Sequence, residues 1–197
     1  GGAQGGLSEY VLVKDAEPGR QLRVIPREIP WEVAALNEPM AVAYHAVNRT
    51  GPKPGDKVVV FGAGPIGLGA VLGYRRRGVS HIVVVDIIPS RLQKALEIGA
   101  DAVINSAEED VAARLVELHG DGATMMVRGT RSGTDIFLDA AGAPVIPQTV
   151  GAVAKAGAVL GVVAVHKKPV ELDFGSILTT ELTIVFAMGY PTEIFEV

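Results

Sequence analysis

Gly62, Gly64 and Gly67 stand in a G-x-G-x-x-G spacing, and Asp86 follows 19 residues after the third. In a turn that cradles a pyrophosphate, each glycine has its own duty. The first permits a tight turn, the second lets the backbone approach the phosphates, and the third lets a helix pack closely on a strand. Pro65 and Ile66 lie between the second and third glycines, and proline suits a first helical turn because its missing N–H is not needed there. The helix that opens at Pro65 would aim its free N–H groups and the positive end of its dipole at a phosphate. Asp86 could then accept hydrogen bonds from the adenosine ribose hydroxyls, while its charge would repel a 2'-phosphate. NAD is therefore expected over NADP. Arg91 is either a neighbour of the adenosine and ribose edge or a solvated helix residue.

Such a turn works only if a strand delivers it and a helix leaves it. "KVVVF" before the turn and "HIVVVD" ending at Asp86 are almost continuously β-branched, as strands buried on both faces are. Between them, "PIGLGAVLGYRRRG" carries a helix start at Pro65 and a stop at Gly78. The arginines at 75–77 read as cations at a helix C-terminus.

Alternation continues downstream. A helix after Pro89 places Leu92, Ala95 and Leu96 on one face and is closed by Gly99, and "AVI" at 102–104 is a short strand. Ser106 and Glu109 have capping-box spacing before a helix carrying Val111, Leu115 and Leu118 that ends at Gly120. "DIFLD", "AVLGVV" and "LTIVFAM" are further strands, with a helix expected over "PQTVGAVAKAG". Strands alternating with helices predict an α/β fold with a doubly wound parallel sheet.

Other segments are less regular. "LSEYVLVKDA" alternates like a strand and leads into a proline-rich connector; a helix is expected from Trp31 to Arg49, kinked at Pro39 or restarted there. Residues 120–134 lack a period and read as a surface loop, and "GYPTEIFEV" reads as a turn and the start of a helix that is cut short.

Composition narrows the class of protein. The net charge of -4 comes from scattered acidic and basic residues, so no basic face for nucleic acid is expected. No apolar run is long enough for a membrane crossing and the start lacks a signal-peptide pattern, so a cytoplasmic protein is expected. The sequence has no cysteine, which excludes disulfides and thiolate metal sites within it. His45, His81, His119 and His166 lack metal-ligand spacing and read as packed or solvated histidines.

"EPMAVAYHAVNRTGPKPGDKVVVFGAGPIG" followed by "VVVDIIPSRLQKALEIGADAVIN" resembles the medium-chain, zinc-dependent alcohol dehydrogenase family, closest to its sorbitol and butanediol dehydrogenase branch. The resemblance implies a Rossmann-type NAD-binding domain facing a catalytic zinc on a separate domain. On that basis residues 1–30 would be a remnant of the catalytic domain with its connector, and 31–197 an NAD-binding domain incomplete at its C-terminus. It assigns Gly62, Gly64, Pro65, Ile66 and Gly67 to the phosphate loop and Asp86 with Arg91 to the adenosine ribose. Val162, Val163 and Ala164, with Ala187, Met188 and Gly189, fall beside the nicotinamide. Glu38 falls beside the catalytic zinc as a ligand or near-ligand in an intact parent enzyme. Read without the resemblance, Glu38 is a helix-start carboxylate.

The family's zinc-binding cysteine and histidine-glutamate pair find no counterpart in this sequence. The chain is therefore expected to be inactive alone, although its parent would oxidise a small alcohol or polyol with NAD. A nucleotide-binding module without catalysis and a zinc-free medium-chain reductase are the alternatives. The family's pairing through the last sheet strand, here "LTIVFAM", implies a homodimer.

Overall fold

The two β-branched runs lie side by side at the centre of a sheet. In the computed structural model, which describes residues 7–20, 22–124 and 130–195, β1 (Lys57–Phe61) and β2 (His81–Asp86) pair in parallel, with Val59 opposite Val83. β3 (Ala102–Asn105) lies beyond β2, while β4 (Ile136–Asp139), β5 (Val159–Val162) and β6 (Thr183–Phe186) follow on the other side of β1. All neighbours in the order β3-β2-β1-β4-β5-β6 are parallel. The strand order reverses between β1 and β4, which opens a crevice at their C-terminal ends.

The helices are α1 (Trp31–Ala34), α2 (Asn37–Thr50), α3 (Pro65–Arg76), α4 (Pro89–Glu97), α5 (Val111–His119), α6 (Val145–Val153) and α7 (Phe174–Leu178). A short 3-10 helix, Glu193–Phe195, follows β6. Successive strand residues point to opposite faces, so the central valines sort into two cores. Val58, Val60, Ile82 and Val84 pack with Val47 of α2, Tyr74 of α3 and Leu92 of α4. Val59, Phe61, Val83 and Val85 pack with Leu115 of α5 and Val150 of α6. Continuous β-branched strands are the consequence of having apolar cover on both sides.

The chain divides into two units, Gly1–Leu36 and Asn37–Val197. Among the described residues of the first, no strand forms over the alternating "LSEYVLVKDA" segment, and Leu7 and Tyr10 are exposed. Alternation alone does not make a strand, because the backbone also needs a neighbour to pair with. The expected helix from Trp31 to Arg49 is broken into α1 and α2, and Pro39 sits in the first turn of α2, where its lost N–H is harmless.

Three other expectations shift. Asp110, not Ser106, caps α5, its carboxylate accepting from Ala113 N at 3.1 Å. Glu109 instead reaches back to Asn105 N at 2.9 Å and pairs with Arg114, which closes the turn ahead of the helix. The helix expected over "PQTVGAVAKAG" starts earlier and stops at Val153, where Ala154 turns extended. The loop expected at 120–134 contains 125–129, which lie outside the described residues, and its end is not on the surface: Arg131, Ser132 and Thr134 are buried. Arg131 donates to Gly151 O at 2.7 Å. The arginines at 75–77 do not form a free basic patch. Arg75 pairs with Asp101, Arg76 donates to Tyr44 Oη and Arg77 to Asn48.

At the N-terminal ends of the strands, His119 is 2% exposed, with Nδ1 2.7 Å from Thr134 Oγ1 and Nε2 3.1 Å from His81 Nδ1. Burial, aided by the nearby charges of His81 and Lys57, lowers the His119 pKa from 6.5 to about 4. The unfolded chain therefore takes up this proton at a higher pH than the folded one. The resulting stability is full above pH 6.5, is lost as the pH falls towards 4, and levels off below that. A shift of this size corresponds to up to about 3 kcal/mol. Denaturant unfolding across that range should show this loss, and His119→Asn, which keeps a group for Thr134 but cannot titrate, should flatten it.

Candidate dinucleotide site

β1 runs into the glycine turn with Gly62 at φ +100°, a left-handed conformation that a side chain would strain. The turn is braced against β2: Gly62 N donates to Val85 O at 2.7 Å, and Ala63 N donates to Asp86 Oδ2 at 2.7 Å. Gly67 lies so close beneath it that an added Cβ would fall 1.8 Å from Gly62 O. At Gly64, which precedes α3 with extended backbone, an added Cβ would meet none of the described residues within 4 Å. Thus the third glycine is needed for packing, whereas the second keeps a space open.

No side chain caps α3, whose first residue is Pro65. The N–H groups of the first turn, those of Ile66 and Gly67 included, are the ones a helix leaves without intrahelical partners. They lie beside the open space at Gly64, in the arrangement that suits an anion.

Asp86 ends β2. Its Oδ1 accepts from Ile87 N at 2.7 Å and Ile88 N at 2.9 Å, while Oδ2 takes the Ala63 bond. A carboxylate has roughly four lone-pair positions, so about one remains for an outside donor. The same aspartate therefore shapes the turn and lines a cavity of about 440 Å³ with Gly62, Arg91 and Ser106. Val111, Val145 and Ile146 give that cavity an apolar wall. A flat aromatic base would fit such a wall, and a few polar groups at the rim would orient it.

The structure therefore brings Gly62, Asp86 and Arg91 to one cavity, with Gly64, Pro65, Ile66 and Gly67 at the adjoining turn and helix start. Val162, Val163 and Ala164 lie at the end of β5, where the Val163 and Ala164 amides donate to Asp139 O at 3.0 and 3.1 Å. Ala187, Met188 and Gly189 follow the edge strand β6, and neither triplet lines the cavity. Glu38 is an exposed residue of the first turn of α2.

The histidines expected to be packed or solvated are each hydrogen-bonded. His45 Nδ1 lies 3.0 Å from Glu193 Oε1, and Asn48 donates to the same oxygen at 3.1 Å. Burial alone would raise the Glu193 pKa, but these bonds and the backbone N–H groups of Thr192 and Glu193 bring it down to about 2. His166 Nε2 lies 2.8 Å from Asp139 Oδ2. Nothing in the sequence pattern announced the Asp139 partnership, because the two residues are far apart in the chain. Among the described residues, no group of three or more histidine, aspartate or glutamate side chains is placed to hold a metal ion. None of their helices is long and apolar enough to cross a membrane.

Residues 65–197 match the family described as zinc-binding dehydrogenase. The chain is 35% identical over 190 residues to (R,R)-butanediol dehydrogenase of Bacillus subtilis, covering 96% of this chain and 50% of that protein. It is 32% identical over 165 residues to sorbitol dehydrogenase of Bombyx mori, covering 82% of this chain and 44% of that one. Among solved structures, 2R,3R-butanediol dehydrogenase from Bacillus subtilis aligns with a TM-score of 0.74 at 31% identity, over 87% of this chain and 46% of that one. An Escherichia coli short chain alcohol dehydrogenase complexed with cofactor NADH aligns with a TM-score of 0.78 at 26% identity, over 91% and 50% of the two chains. The chain spans about half the length of the curated relatives it matches.

Proposed function

The chain belongs to the zinc-binding dehydrogenase family, and from that premise we propose that it is the NAD-binding portion of an enzyme that exchanges hydride between a secondary alcohol or polyol and the cofactor. The observation that carries this reading is the open space at Gly64, beside an uncapped helix start and next to the Asp86 cavity. In it, the pyrophosphate lies over Gly64 and takes the amides of Ile66 and Gly67. The adenine enters the apolar cavity, with Arg91 along its edge. The remaining acceptor position of Asp86 takes one ribose hydroxyl, and the second shares an oxygen already in use. A 2'-phosphate at this place would meet the Asp86 charge, so NAD is preferred to NADP.

When bound, the nicotinamide supplies the hydride acceptor. In this reading it lies towards the β5 and β6 ends, near Val162, Val163 and Ala164 and near Ala187, Met188 and Gly189. Residues 1–30 are then part of a catalytic domain and 31–197 part of the cofactor domain. The described residues do not fit a catalytic zinc: Glu38 is a lone carboxylate without two or three converging partners. Any zinc of the whole enzyme would draw its ligands from other segments, with Glu38 beside it. Taken by itself the chain is then a nucleotide-binding module without turnover. The partly exposed edge strand β6 suits pairing with a second copy in a homodimer.

Calorimetric titration tests the binding claim. NADH should bind saturably, with NADPH weaker by about tenfold or more from the cost of placing like charges together. Absence of saturable binding by either would overturn the proposal, and a preference for NADPH would overturn its assignment to Asp86.

A further inference from the structure

The end of β4 is a buried hydrogen-bond hub. Asp139 is 0% exposed, a costly setting for a carboxylate unless its oxygens are paired. Oδ1 accepts from Ala141 N at 3.0 Å and Gly142 N at 2.8 Å, while Oδ2 faces His166 Nε2 at 2.8 Å. An ionised carboxylate can only accept, so the proton of that bond lies on Nε2. Among the described residues, His166 Nδ1 is buried without a hydrogen-bond partner, so the Asp139 bond orients the ring. The backbone of Asp139 joins the same two loops, since its carbonyl takes the amides of Val163 and Ala164.

This hub adjoins the crevice. Ala140 N donates to Phe61 O at 2.9 Å, and a Cβ on Gly62 would lie 3.1 Å from Ala141 Cβ. On the far side, a Cβ on Gly142 would lie 3.1 Å from Val165 O, so the loops after β4 and β5 are in close contact. A dinucleotide seated at a switch point crosses from one half of the sheet to the other. With its adenosine on the β2 side, its second half must cross the ends of β4 and β5 towards β6.

We propose that His166 is a positioning residue: through Asp139 it fixes the loops after β4 and β5 as the surface on which the nicotinamide half of the cofactor rests. This inference rests on the dinucleotide reading above. It separates the two halves of the ligand, because AMP reaches only the β2 side and the first phosphate, whereas NADH also covers the β4 and β5 loops. His166 would therefore matter for one ligand and not for the other.

The test is titration of the full chain with NADH and with AMP. His166→Leu, which removes the donor, should weaken NADH by about tenfold, the scale of a hydrogen bond to a charged group, and leave AMP unchanged. His166→Gln, whose amide nitrogen can reach the position of Nε2, should restore most of the NADH affinity. A second measurement needs no variant: in the wild-type chain, NADH but not AMP should slow hydrogen exchange at the amides of Gly142 and Ala164. Unchanged NADH affinity in His166→Leu, equal loss for both ligands, or equal slowing by both would overturn the assignment. If the wild-type chain binds neither ligand, the dinucleotide reading itself fails; if it binds both and His166→Leu changes nothing, only this inference does.

Discussion

Gly67→Ala is expected to destabilise the chain by about 3 kcal/mol or more, at the upper end of what an overpacked site costs, and to abolish measurable dinucleotide binding. The new Cβ would fall 1.8 Å from Gly62 O and 2.9 Å from Gly62 C, so the clash is with backbone and no side chain can rotate away. Either α3 must move off β1 or the turn must open, and both displace the amides that would hold the pyrophosphate. Gly64→Val is the informative contrast. Gly64 has ordinary φ of -80° and open space around it, so this chain should melt close to wild type yet lose dinucleotide affinity. Thermal unfolding and NADH titration of the two variants separate a packing glycine from a ligand glycine. If Gly67→Ala melted like wild type, the close approach of α3 to the turn would be wrong.

Asp86→Ala should show the second large effect, a loss of NADH affinity of about 100-fold, because two contributions vanish together. A hydrogen bond to a charged group is worth about 1.5–3 kcal/mol, and the variant also leaves the amides of Ala63, Ile87 and Ile88 without their acceptor. The turn would loosen at the point where the phosphate is proposed to lie. NADPH should suffer less than NADH, since the variant also removes the charge that repels a 2'-phosphate. Comparison of both ligands by calorimetry on the variant and the wild type measures this crossing of effects. An equal loss for the two would contradict a direct role for Asp86 at the ribose.

The strand-turn-helix-strand unit was legible because several independent signals coincide there. β-Branched runs mark strands covered on both faces, Pro65 and Gly78 bound the helix, and the glycines have spacing that only a close-packed turn requires. Where a single local signal stands alone, the structure departs from it. Ser106 and Glu109 have the spacing of a capping box, yet Glu109 closes the preceding turn and Asp110 caps the helix. Among the described residues, the alternating segment near the start has no neighbouring strand to complete it. The five-residue α7, capped by Asp173, is too short to leave a periodic signature in the sequence.

The site divides in the same way. Asp86 and the glycines are close enough in sequence for a motif to hold them together, and the structure gathers them. Asp139 and His166 meet only because β4 and β5 are adjacent in the sheet, a relation that no local pattern records. Asp86's second task, holding Ala63 while lining the cavity, was also hidden, because it depends on the register of β1 against β2.

The most direct test of the account is a crystal structure of this chain with NADH. The pyrophosphate should lie over Gly64 at the start of α3, with the adenosine ribose on the Asp86 carboxylate and the adenine against Val111 and Ile146. A ligand bound elsewhere, or one seated here with its ribose turned away from Asp86, would contradict it.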